Sequence, residues 1–393
     1  MIKERCDILI LSASFGGGHN QVARALTQAL HMQAPGLRII TVDYCDLLYP
    51  LFNRFTQFSY NQSVRHFPVG YALYYQATGK ISPDSFWQRR LNRMGYTELI
   101  MLVNRLAPRV IVSTFPLPAG VLSEMKESGD LDVPVVTVIT DICVHSQWIH
   151  PYTDLYLVGS AEVARGLEER GIQQQKIAVT GIPILPTFTR AVARERVKAE
   201  LGYAPDERLI LFMGGNNGVF GTTQFHHLLR DLPPNIKALI LTGSNQDLYE
   251  KLQANYAKCR NMRICKYVDS VPDLMSCADL LITKAGGISI SEALAKGLPM
   301  IIYKPTPGHE EANANYLWRH RAAIVAKSER RLKIAIQRLI TDEEFRERFR
   351  KNCLKIATPD SALVGAKLIL NLLTPRARGT RYLKMSIRRE IRA

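Results

Sequence analysis

Thr283-Lys284-Ala285-Gly286-Gly287-Ile288-Ser289-Ile290-Ser291-Glu292-Ala293-Leu294-Ala295-Lys296-Gly297-Leu298-Pro299-Met300-Ile301-Ile302-Tyr303-Lys304-Pro305-Thr306-Pro307-Gly308-His309-Glu310-Glu311-Ala312-Asn313-Ala314-Asn315-Tyr316-Leu317 decides the fold. Asp279 to Ile282, just before it, reads as a short buried strand. Lys284 to Gly287 turns the chain, and Ile288 to Lys296 has the pattern of a helix, stopped by Gly297 and Pro299. Leu298 to Tyr303 is a second apolar strand. The unit is β-α-β with glycines at the helix mouth, where free N–H groups and the helix dipole favour an anion such as phosphate. Glu292, Glu310, Asn313 and Asn315, with His309, follow within reach and suit the hydroxyls of a sugar. Ser289-x-x-Glu292 also fits a capping box, in which Glu292 only satisfies a backbone N–H.

Working outward, Ile8 to Ser14 is a continuous apolar strand, Phe15-Gly16-Gly17-Gly18-His19 a loop, and Asn20 to Gln33 a helix. Ile39 to Val42 is the next strand, so the chain opens as a doubly wound sheet with ligands at strand C-termini. A dinucleotide fingerprint from Gly16 needs glycine where Gln21 stands, and no Gly-Lys-Ser/Thr run makes a nucleotide P-loop. Val135 to Ile139 is a strand with Thr140-Asp141-Ile142-Cys143-Val144-His145 at its end. Asp141 and His145 stand where a βα loop places catalytic groups; Asp141 also suits a helix N-cap. A hinge begins at Val179 to Pro186, and Arg190 to Leu201 is a charged helix. A second Rossmann-like half starts at Leu209 to Met213, followed by Gly214-Gly215-Asn216-Asn217-Gly218. Helices are expected over 98–106, 272–277, 330–340 and 343–357.

At 393 residues, two domains are expected. Net charge is +16, from 51 basic against 35 acidic residues, which calls for an anionic partner. The seven dispersed cysteines form no metal-ligand motif and suit a reducing cytosol. No uninterrupted apolar run reaches the roughly 18 residues of a membrane span, and the start does not read as a signal peptide. Aromatic residues crowd 49–87, among them Phe52, Phe55, Phe58, Tyr71 and Trp87, bordered by basic residues as far as Arg93. Such a mixture suits plain helical core, a membrane surface, where rings sit at headgroup level, or an RNA-binding surface, which uses the same two ingredients. The tail from Pro375 is strongly basic.

The whole set resembles the GT-B glycosyltransferases of the monogalactosyldiacylglycerol synthase and bacterial diacylglycerol glucosyltransferase branch. Gly-Gly-Gly-His at 16–19, Thr-Asp-x-x-x-His-x-x-Trp at 140–148, Gly-Ile-Pro-Ile at 181–184, Gly-Gly-Asn-Asn-Gly at 214–218, Lys-Ala-Gly-Gly at 284–287, Ser-Glu-Ala at 291–293 and Pro-Gly-His-Glu at 307–310 carry it, in order. The resemblance implies an α/β fold of two Rossmann-like domains facing a cleft. Residues 1–185 are then the acceptor domain, 186–360 the donor domain, and 361–393 a helix and tail crossing back. It implies inverting transfer of a hexose, glucose favoured over galactose, from a UDP-sugar to diacylglycerol or a related lipid.

The implied donor contacts are Gly214, Gly215, Asn216, Val268, Lys284, Gly286, Gly287, Ser291, Glu292 at the ribose, Pro307, Gly308, His309, Glu310 and Asn313. Gly17, Gly18, His145 and Trp148 are the acceptor candidates. His19 is favoured as base because its ordinary pKa lies near neutral, and Asp141 either orients it or replaces it. No cofactor or metal is expected, nor a nucleic-acid partner. The expected place is the cytoplasmic face of the cell membrane, bound peripherally through its anionic surface. A UDP-N-acetylglucosamine 2-epimerase type of enzyme and a non-catalytic nucleotide-sugar-binding protein are the alternatives on this fold.

Overall fold

The computed structural model describes residues 5–14, 17–48, 85–214, 235–256, 259, 261–268 and 270–373. Gly215, Asn216, the aromatic-basic segment up to residue 84 and the tail from Pro375 lie outside them.

Two six-stranded parallel sheets form the frame. The first has β1 Ile8–Ser12, β2 Ile39–Asp43, β3 Val110–Ser113, β4 Val135–Val138, β5 Leu155–Val158 and β6 Ile177–Val179, in the order β2-β1-β3-β4-β5-β6. The second has β7 Arg208–Met213, β8 Ile236–Leu241, β9 Met262–Cys265, β10 Leu280–Thr283, β11 Met300–Tyr303 and β12 Ala323–Ala326, in the order β12-β11-β10-β7-β8-β9. The central strands β1, β3, β4 and β10 are buried along their whole length, as parallel strands covered on both faces must be. The edge strands β6, β9 and β12 escape the sequence reading. They are only three or four residues long and only partly buried.

Strand order reverses beside β1 in the first sheet and beside β7 in the second. Open parallel sheets bind ligands at such switch points, outside the strand C-termini. The β1–β3 switch is where the loop before the Gly18–Gln33 helix opens, and the β7–β10 switch is flanked by Gly214 and Lys284.

One apolar cluster runs through both halves and includes Leu26, Ile182, Ile290 and Ile369. Separate clusters cover the outer faces, around Tyr44 and Leu99 in one half and Phe212 and Leu339 in the other. Residues 343–373 have the length and mean apolarity of a membrane span. They form two helices, Glu343–Ile356 and Ser361–Leu373, broken at 357–360. The second packs on the Gly18–Gln33 helix of the first half. There the Gln33 amide donates to the Leu363 carbonyl at 2.8 Å, and the Arg109 guanidinium donates to the Leu373 carbonyl at 2.8 Å. The charged helix expected from Arg190 is confined to Arg194–Glu200.

Candidate active site

His19 is the second residue of the Gly18–Gln33 helix, not part of the loop before it. Its ring Nδ1 lies 2.7 Å from the Thr114 carbonyl at the end of β3 and 3.3 Å from the Thr140 hydroxyl after β4. A carbonyl only accepts, so Nδ1 carries the proton and donates. Nε2 is left as the basic nitrogen, with no hydrogen-bond partner among the described residues. Phe115 meets the ring edge-on at 5.0 Å between centroids, and Trp148 packs at 6.2 Å. Burial lowers the imidazole pKa below its ordinary value, and His309 across the cleft adds to the lowering. Asp141 opposes it, and so does the bond to Thr114. A helix N-terminus also disfavours a cation. The imidazole is therefore neutral near pH 7, with its tautomer set for accepting a proton.

The two halves touch at this point. A Cβ on Gly287 would lie 2.0 Å from the Thr140 carbonyl oxygen, and a Cβ on Gly18 would lie 3.7 Å from Ile288. Only a residue without a side chain allows the first approach. Asn313 clamps the contact and is fully buried. Its amide nitrogen donates to Asp141 Oδ1 at 3.2 Å and to the Ala285 carbonyl at 2.9 Å, while its oxygen accepts from the Ile142 N–H at 2.9 Å. Both sides of that amide are thus engaged in joining the halves. Asn315, two residues on, is exposed and turned away from the cleft.

Three helix N-termini converge on the cleft: Gly18–Gln33, Gly287–Ala295 and His309–Arg319. Their first-turn N–H groups and dipoles make the space between them favourable to an anion. Lys284, half-buried at the end of β10, has no ion-pair partner among the described residues. Gly308 takes φ 105° and ψ −127°, a conformation that needs glycine, to start the His309–Arg319 helix. Glu310 has one oxygen occupied, accepting from the Thr306 N–H at 2.7 Å.

The capping-box reading of Glu292 fails. The helix begins at Gly287 with Gly286 as its N-cap, so Ser289 is already three residues inside it. Glu292 is half-buried, and its carboxyl has no protein partner among the described residues. Loss of water pushes its pKa up to about 8. A carboxyl held this way, without a cation or N–H among the described residues to satisfy it, is a candidate ligand contact.

Residues 19–184 match the family model of monogalactosyldiacylglycerol (MGDG) synthase, and residues 193–355 that of glycosyl transferases group 1. The processive diacylglycerol beta-glucosyltransferase of Bacillus subtilis (strain 168) is 32% identical over 371 residues, covering 91% of this chain and 93% of that protein. The chain belongs to this glycosyltransferase family. Among solved structures, UDP-GlcNAc 2-epimerase from Neisseria meningitidis superposes with TM-score 0.61 at 12% identity, over 93% of this chain and 100% of that one. MurG of Acinetobacter baumannii does so with TM-score 0.57 at 13% identity, over 93% and 99%. These likenesses are of fold, and the fold is GT-B.

Several candidates of the glycosyltransferase sit differently from expectation. Ser291 is buried, and its hydroxyl donates to the Gly287 carbonyl at 2.8 Å, within its own helix. Val268 is half-buried against the core, while its neighbour Tyr267 is exposed. His145 and Trp148 are both buried. The His145 Nδ1 accepts from the Gln147 N–H at 3.3 Å, capping the short Ser146–Trp148 turn. That cap role had been considered for Asp141, which caps no helix. Gly17 precedes the first helix with φ 79°, and Pro307 is half-buried at the mouth of the His309–Arg319 helix. Thr114 and Thr140 fix the His19 ring, a role the sequence reading gave to neither, although Thr140 opens the Thr-Asp motif. The only signal of that role was position, as polar residues ending buried strands.

Proposed function

We propose that this glycosyltransferase moves a hexose from a UDP-sugar to the hydroxyl of diacylglycerol or a related lipid, with inversion at the sugar carbon. The observation that carries the proposal is the His19 ring. Its Nδ1 is tied to Thr114 and its Nε2 has no partner among the described residues, opposite converging helix mouths that suit a diphosphate. His19 Nε2 takes the proton of the acceptor hydroxyl as its oxygen attacks C1 from the face opposite the nucleotide. Asp141, close enough to favour the protonated ring, stabilises the imidazolium as it forms. The bond from C1 to the diphosphate oxygen breaks, and the charge left on UDP meets Lys284 and the N–H groups at 286–288 and 308–310. Glu292 receives the ribose hydroxyls, and the 307–310 loop faces the hexose and phosphate. Glucose is favoured because the Bacillus relatives are glucosyltransferases.

UDP release is measured with UDP-glucose and with UDP-galactose, with and without diacylglycerol in mixed micelles. Acceptor-dependent release supports the reading. Interconversion of the donor sugar without any acceptor would replace it by epimerase chemistry.

Glu292 supplies a pH test. With its pKa near 8, the carboxyl is largely protonated in the free enzyme at pH 7. Hydroxyls donating to it favour the ionised form, so UDP binding releases a proton and tightens between pH 6 and 8. Calorimetric titration in buffers of different ionisation enthalpy reads that proton directly. The linkage to stability has the opposite sense. The native state holds the proton more tightly than the unfolded chain, so stability falls as pH rises from the ordinary carboxylate range to about 8. Glu292→Gln removes both slopes. A Gln variant that keeps the proton release would take the ribose away from this residue.

We further propose peripheral attachment to the cytoplasmic face of the cell membrane, on the strength of the +16 charge and the aromatic-basic segment around 49–93. The protein is expected to sediment with vesicles containing anionic lipid and to leave them at high salt, because surface attraction is screened. Equal binding to neutral vesicles would refute the electrostatic part.

A further inference from the structure

A groove of about 590 Å³ lies away from the cleft, along the edge strand β12. Arg321, Lys327, Arg331 and Arg348 line it, together with Trp318 and Phe345, and no Asp or Glu does. The three arginines have no carboxylate partner among the described residues. Lys327 has only a distant one, Glu311 at 4.0 Å. Like charges gathered around one concavity repel, and that cost is relieved when an anion enters.

The arrangement is built rather than incidental. Arg321 has φ 51°, which is strained for a side-chain-bearing residue, and the Asn352 amide donates to its carbonyl at 3.1 Å. The Arg348 guanidinium lies 5.7 Å from the centre of the Phe345 ring. Trp318 is 64% exposed at the rim, where an unpartnered indole offers a flat apolar face. Asn315 lines the same groove, although Asn313 on the same helix is buried between the two halves. At about 100° per residue, these two positions point to nearly opposite sides of the His309–Arg319 helix. The groove is therefore separate from the donor site.

We propose that this groove binds a phosphate ester that carries an apolar portion. Arginine forks hold the phosphate through paired N–H donors, and Trp318 and Phe345 cover the rest. The phosphate comes from a soluble ester or from the headgroup of an anionic phospholipid.

The test compares the full chain with the double variant Arg321→Gln/Arg348→Gln and a charge-matched control, Arg330→Gln/Arg350→Gln, outside the groove. Each is titrated calorimetrically with phenyl phosphate and sedimented with phosphatidylglycerol–phosphatidylcholine vesicles. The groove variant is expected to bind at least about tenfold more weakly in one of the two arms, since each lost hydrogen bond between charged groups is worth that much. The control should stay within about twofold. Loss in the calorimetric arm identifies a soluble ester, and loss only with vesicles identifies a headgroup. Unchanged affinity in both arms, or an equal loss in the control, overturns the proposal. Vesicle binding that the groove variant retains, together with unchanged calorimetric affinity, would do so while leaving the membrane reading of residues 49–93 standing. UDP affinity, measured in parallel, should match wild type in all three proteins and so reports an intact fold.

Discussion

His19→Ala lowers turnover by about 10² to 10⁴, the usual contribution of a positioned base, and leaves UDP affinity nearly unchanged. The imidazole stands on the first half, at the β1–β3 switch point, while the proposed diphosphate contacts come from the other half. Removing the ring deletes the proton acceptor without touching Lys284 or the helix mouths. Its pH profile is a second readout. Burial holds the imidazole pKa below its ordinary value, so the acid limb of kcat/KM is expected below about 6.5. Above that pH the ring is neutral and competent; below it, the ring is protonated and cannot accept. Asp141→Asn should lose less, because Nδ1 of His19 is held by Thr114 and not by Asp141. An inactive Asp141→Asn enzyme beside a His19→Ala enzyme within a few-fold of wild type would make Asp141 the base. Loss of UDP binding in both variants would make the loop a phosphate cradle instead.

Gly287→Ala is expected to be nearly as damaging, for a steric reason. The added methyl would lie 2.0 Å from the Thr140 carbonyl oxygen and 3.1 Å from Ile182 Cδ1. Carbon and oxygen cannot approach so closely, so one half must shift by about an ångström. The shift moves the Gly287–Ala295 helix mouth away from His19 and strains the Asn313 bonds to Asp141 and Ile142. A misplacement of that size costs about 10² in rate. Stability should fall by about 1–3 kcal/mol, as for other overpacked sites. Steady-state kinetics with saturating donor, together with a thermal melt, separate the two effects. Wild-type turnover in Gly287→Ala would mean that the working enzyme does not use this close contact.

Much of this was legible in the chain. The central strands announced themselves as continuous apolar runs, because a parallel strand is buried on both faces. The glycine turns and the Pro-Gly-His-Glu run marked the strand ends where ligands bind, since backbone geometry and open N–H groups are local properties. Short-range information also placed His19, Asp141 and Glu292 near strand C-termini. It could not say what lay opposite them. Whether Glu292 caps its helix or faces the cleft depended on where the helix begins, and Gly286 decided that. Whether Asn313 meets a ligand or the other half depended on a contact with residues 141 and 142, far away in the sequence. The neutral state of His19 needed its burial, against Phe115 and Trp148 among others, and its tautomer needed the Thr114 carbonyl. The edge strands β6, β9 and β12 were missed because runs of three or four residues are too short to show a period. Sequence determined the two Rossmann-like halves and their loops; tertiary packing alone decided which of those loop residues are buried, paired or left open, since burial and partner choice arise only when the halves close on each other.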